Sequence, residues 1–149
     1  MNLQTLNLQA FVQGDEASRK TFVHDLGHAF ESIGFAAIEG HGFTNEERDA
    51  LQSIVKAFFE QDRDNKMRSF KPDAKGQRGY TPFGVEHAKG ESQPDLKEFY
   101  QWGPMNAADR GLIENVLVPH VTGLDSTVKG AYEKLESIGQ ALMRAISIH

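Results

Sequence analysis

The chain has six histidines in 149 residues, and imidazole is both a common metal ligand and a frequent general base. His24 and His28 stand four apart in a helical pattern, a spacing that can place two ligands on one face. They have no HExxH context and no third ligand, so a solvated or boundary pair is the plainer reading. His41 sits between two glycines, where a structural hydrogen bond is expected. His87 and His120 lie near loops without a companion, and His149 is terminal. No H-x-D or H-x-E pair occurs, so a two-histidine, one-carboxylate iron site cannot be assembled from its usual motif.

Other chemistries are equally unsupported. The chain has no cysteine, which excludes disulfides, zinc-thiolate sites and thiol nucleophiles. Gly34–Gly42, GFAAIEGHG, lacks the glycine order of a dinucleotide loop; a P-loop lysine and a G-x-S-x-G elbow are also absent. Glu46 and Glu47 fall in a helix start, where the helix dipole accounts for them. Neither a catalytic group nor a metal-ligand set is expected among these residues. A net charge of −5 without a basic block argues against a nucleic-acid backbone as partner. No membrane-length apolar run or signal peptide is visible, so cytoplasmic residence is the expectation.

The length is one domain's worth, and the patterning is strong. Leu3, Leu6 and Leu8 suggest a short extended entry. Asp15 is a candidate N-cap for a helix carrying Phe22, Leu26, Ala29 and Ile33 at helical spacing, and Gly34 ends it. Phe35–Ile38 is a short apolar run between glycines, which reads as a buried strand, followed by a tight Gly40-His41-Gly42 turn. Thr44 and Glu47 match a capping box for a second helix with Leu51, Ile54, Val55, Phe58 and Phe59 on one face. The charged run EQDRDNK reads as its solvated end.

Residues 69–96 are punctuated by glycine and proline, yet hold Tyr80 and Phe83. They read as a long ordered loop. KEFYQW then reads as a strand, with Lys97, Phe99 and Gln101 on one side and Glu98, Tyr100 and Trp102 on the other. From Val121 to Ala145 apolar residues alternate steps of three and four without a slip. The pattern predicts a core-packing helix over 120–147, of about 25 residues. The chain stops at Ile-Ser-Ile-His without a capping signal, as if cut.

In that order, GFAAIEGHG, AFFEQDRDNK, RGYTPFGVE and DLKEFYQWG, then a proline-led long helix, resemble the N-terminal region of the isopenicillin N synthase-like family of iron(II), 2-oxoglutarate-dependent dioxygenases. The resemblance covers nearly all of residues 1–149. It implies an α+β fold: a helical lead-in contributing strands to a double-stranded β-helix (jelly roll) whose catalytic half is absent from this chain. The long helix would pack along the outside of that barrel. It further implies that Fe(II) and 2-oxoglutarate serve the complete enzyme, with none bound by this chain alone. The metal triad and the 2-oxoglutarate-gripping R-x-S would lie beyond residue 149, in a C-terminal catalytic half that is this segment's partner. The substrate would be a small molecule. By the same resemblance Arg78 and Tyr80 in the loop, and Phe99 and Gln101 in the strand, border the active-site mouth. A guanidinium beside aromatic rings suits a carboxylate-bearing substrate. Two features agree with a missing β-rich partner: an apolar strand wanting cover on both faces, and an exposed strand edge at KEFYQW. A different class of function, a non-catalytic binding or scaffold module, uses the aromatic loop or the long helix to hold a partner.

Overall fold

A computed structural model describes residues 3–86, 90 and 93–149; His87 lies outside the described residues. The architecture is α+β, in two compact units. One runs through Thr44 and resumes at Lys134–His149; the other is Asn45–Glu133.

In the first unit, strand β1 (Thr5–Asn7) pairs in parallel with β2 (Ala37–Glu39), Leu6 opposite Ile38. The entry is extended only as far as Asn7. That residue caps a short helix α1 (Leu8–Val12), its Oδ1 accepting from Gln9 N at 3.0 Å. Asp15 then caps α2 (Glu16–Ile33), its carboxylate accepting from Ser18 N at 2.8 Å. Gly34 closes α2 at φ 77°, a left-handed conformation that costs a side-chain-bearing residue. Leu6, Leu8, Phe22, Val23 and Leu26 form the core with Ala141 and Ala145. Lys134 Nζ donates to Gly42 O at 2.9 Å, holding the glycine turn.

The apolar run after Gly34 does not form the buried strand that its composition suggests. The strand begins two residues later, its residues are half-buried or exposed, and Phe35 is 72% exposed. A two-stranded parallel sheet offers too little cover for the whole run.

The second unit begins with helix α3 (Asn45–Phe59), directly after Thr44. The charged run behind it is not simply solvated. Asp62 caps a short helix α4 (Arg63–Met67), accepting from Asn65 N at 2.8 Å, and Lys66 inside it is buried. The long loop is likewise more regular than its glycines and prolines imply. It carries a 3-10 turn (Pro72–Ala74) and strand β3 (Gly79–Thr81), which pairs antiparallel with β4 (Phe99–Gln101). The core joins Phe58, Tyr80, Val118, Val121 and Leu124. Helix α5 (Leu124–Ile148) has the 25 residues expected but starts later. Gly123 adopts φ 85° ahead of it, and Asp125 turns back to accept from Val118 N at 3.0 Å. Residues 124–133 of α5 belong to the second unit and the rest to the first.

Candidate functional site

Three residues of the second unit that polarity alone would place in water meet inside it. Lys66 Nζ, on α4, lies 2.8 and 3.0 Å from the two carboxylate oxygens of Glu98 and donates to Phe59 O at 3.1 Å. Tyr80 donates its hydroxyl to Glu98 Oε2 at 2.5 Å, and Lys66 Nζ sits 5.7 Å from the centre of its ring. The residues are 9% exposed at Lys66 and 2% at Tyr80. All three ammonium protons therefore have an acceptor.

Burial disfavours the Glu98 carboxylate, but the hydrogen bonds from Lys66 and Tyr80 and the lysine's charge outweigh it, holding Glu98 below the usual carboxylate range. Burial first, then the bond to Glu98, pushes the Tyr80 phenol well above its ordinary value. The result is a neutral phenol and a closed ion pair. It is a good anchor and a poor acid–base device near neutrality.

The ribbon β3–β4 rides on this cluster. Tyr80 faces Tyr100 across the strands, and the ring of Phe58 meets both edge-on at 5.8 and 5.1 Å. Gly79 makes the approach possible. It has φ 76°, and a Cβ there would come within 2.4 Å of Ser69 O. Tyr80 N donates to that same Ser69 carbonyl at 2.9 Å. At the far end of β4, Asn115 binds Gly103 N and O at 2.7 and 3.0 Å.

The four residues expected at a mouth do not share one surface. Tyr80 lies on the core face, its hydroxyl committed to Glu98. Phe99 and Gln101 occupy the opposite face of β4. Phe99 is half-buried beneath Lys97 Nζ at 5.1 Å, and Gln101 is exposed. Arg78 precedes β3 with its guanidinium against Gly103, where a Cβ would stand 2.3 Å from Cζ. Its Nη1 donates to Gln77 O at 2.6 Å, and its buried Nε has no partner among the described residues. Lys66 and Glu98 are the residues that sequence reasoning missed. The available signal was the phase of Glu98 with Tyr100 and Trp102 on the inward side of the strand.

Among the described residues the histidines do not converge. His24 and His28 are exposed and stacked at 6.5 Å, while His41 Nδ1 accepts from Phe43 N at 3.0 Å. Among the described residues no group of three His, Asp or Glu side chains could hold a metal ion, and no helix is long and apolar enough to cross a membrane.

Residues 3–122 match the family model described as non-haem dioxygenase in morphine synthesis, N-terminal. The chain belongs to this family. Among relatives of the non-haem dioxygenases, a 2-oxoglutarate-dependent dioxygenase, frbA, of Dothideomycetidae sp. (strain 11243) is 29% identical over 99% of the chain and 47% of its own length. A 2-oxoglutarate-Fe(II) type oxidoreductase, ppzD, of Metarhizium rileyi is 27% identical over 97% of the chain and 44% of its own. Among solved structures, one described as a 2OG-Fe(II) oxygenase family protein from Caulobacter crescentus superposes with TM-score 0.77. It has 28% identity and covers 98% of the chain and 48% of its own. A full-length Neurospora crassa protein in complex with alpha-KG gives TM-score 0.82 at 22% identity, covering 98% of this chain and 46% of its own, and that likeness concerns the fold. The chain thus spans about half the length of the curated relatives it matches.

Proposed function

We propose that this chain is the N-terminal part of a non-haem iron(II), 2-oxoglutarate-dependent oxygenase that oxidises a small molecule. The observation that carries the reading is the family match over residues 3–122, in a chain aligning end to end with less than half of each oxygenase relative. The residues described here do not fit an iron site, since their histidines are dispersed and no three-ligand group forms. No step of the reaction is therefore assigned to them. In this reading iron and 2-oxoglutarate are held by a catalytic double-stranded β-helix domain beyond residue 149, with 1–149 as its N-terminal domain. Support comes from the first unit. Parallel sheets are ordinarily covered on both faces, yet this one is only two strands wide, and Phe35, Leu135, Met143 and Ile146 stand exposed around it and along α5.

The part left to this chain is binding and orientation. Arg78, Phe99 and Gln101 border the substrate, and Tyr80 supports them from beneath through Glu98. The Arg78 guanidinium is a planar donor fork that suits a substrate carboxylate. The test is succinate formation from 2-oxoglutarate, with iron(II), by the whole gene product against residues 1–149 alone. Turnover is expected only from the former, and Arg78→Ala should raise KM for substrate with kcat nearly kept. Turnover by residues 1–149 alone would refute the division of labour. Unchanged kinetics in Arg78→Ala would remove that residue from the site.

A further inference from the structure

The ribbon β3–β4 has three residue pairs and no third strand on the far side of β4 among the described residues. So short a ladder specifies its register weakly. β3 is fixed independently, by Tyr80 N on Ser69 O and by Gly79 packed against that carbonyl. The register of β4 is then set by what its side chains meet.

A slip of one residue would turn Tyr100 and Trp102 outward, and the apolar pattern forbids it. A slip of two is different. Trp102 would replace Tyr100 opposite Tyr80, and Tyr100 would replace Glu98, so the inward face stays aromatic. The outward face would change from Phe99 and Gln101 to Gln101 and Gly103. Main-chain bonds do not discriminate against this slip, because the ladder and the Asn115 clamp on Gly103 read backbone groups that recur along the strand. Two neutral contacts would be disturbed, the Tyr100 hydroxyl on Val116 O and the close fit of Gly103 to the flexible Arg78 guanidinium. The contact that reads side-chain identity through charge is that of Lys66 with Glu98. In the slipped register buried Lys66 would face a phenol in place of its carboxylate.

We infer that the Lys66–Glu98–Tyr80 cluster is a register lock that selects Phe99 and Gln101 as the side chains β4 presents outward. Lys66 and Glu98 are then positioning residues for specificity. A single polar contact fixing register is the best-attested use of a buried polar group. The consequence for substrate choice rests on the oxygenase reading, whereas the register itself does not.

The test is isotope-edited NMR on the full chain, reading the cross-strand NOEs of Tyr80–Tyr100 and Thr81–Phe99. In Lys66→Met/Glu98→Leu the single native set should split or move to Tyr80–Trp102, while the protein stays folded. The charge-reversed Lys66→Glu/Glu98→Lys pair should restore the native set, and Tyr80→Phe should keep it. A double apolar variant with the native NOEs alone would overturn the lock. So would loss of folding in both double variants, because a register device is dispensable for compactness. If the register shifts but the whole enzyme's KM and product pattern stay as in wild type, the lock stands and the substrate-facing role of β4 fails.

Discussion

Glu98→Leu removes one partner of an ion pair whose side chains are 11% and 15% exposed, at Lys66 and Glu98 respectively. The ammonium left behind keeps Phe59 O but loses both carboxylate contacts, and Tyr80 loses its acceptor. Stranding one member of a buried pair costs about 3–5 kcal/mol, whereas replacing both by apolar residues is often neutral or stabilising. With a urea m-value of about 2 kcal/mol/M, the single change should lower the midpoint by roughly 1.5–2.5 M. Lys66→Met/Glu98→Leu should recover most of that loss. Trp102, the sole tryptophan, stacks on Tyr100 at 6.0 Å and reports the melting of this unit by fluorescence. A cost near the roughly 0–1 kcal/mol of surface pairs, or a double variant as damaged as the sum of its singles, would refute the reasoning.

The same cluster fixes a pH dependence at both ends. The folded-state value of Glu98 is depressed, so its stabilisation is present above the unfolded value of 4.5 and is lost as pH falls through the lower folded one. Glu98→Gln should flatten that acid limb. The Tyr80 phenol is raised, so its contribution is whole below the unfolded value of 10.0 and fades as pH climbs from there towards the folded one. Tyr80→Phe should remove that alkaline loss. Phe58→Ala empties the ring position between Tyr80 and Tyr100 and should cost about 3–5 kcal/mol in the same urea melt. Gly34→Ala meets no atom within 4 Å and should cost about 1 kcal/mol from its left-handed backbone alone. Gly79→Ala adds a collision with Ser69 O and should abolish the Tyr80–Tyr100 NOEs, which a merely strained turn would keep. Gly103→Ala drives its Cβ into the Arg78 guanidinium, a flexible group. It should leave the melt nearly unchanged while shifting Arg78 Nε in an NMR spectrum, and an unmoved signal would contradict the packing.

The long helices were legible from strong signals, whereas the five-residue helices α1 and α4 were not. Asp15 and Gly34 bracket an apolar stripe, and the steps of three and four from Leu124 to Ala145 allow no other period. β3 was hidden, since Gly79 is there for a left-handed backbone and a close carbonyl, and in sequence that looks like one more loop glycine. Phe35 misled in the opposite direction. Its apolar character promised burial, but burial depends on what lies opposite, and none of the described residues of the first unit covers it.

Glu98 is the instructive failure. Strand alternation placed it in phase with Tyr100 and Trp102, so a carboxylate on the aromatic side of a strand was already an inconsistency in the sequence. Such a residue either refutes the assigned phase or has a buried cation waiting for it. The phase holds, so a cation was required. The spacing within α4 supplies it: Asp62 caps the helix and Lys66 follows one turn later, carried inward with Met67 while Asp64 remains in solvent. Read as a string, EQDRDNK is a block of polar residues. Read as a capped helical turn, it has an inner face, and the charge on that face is the one that Glu98 lacked.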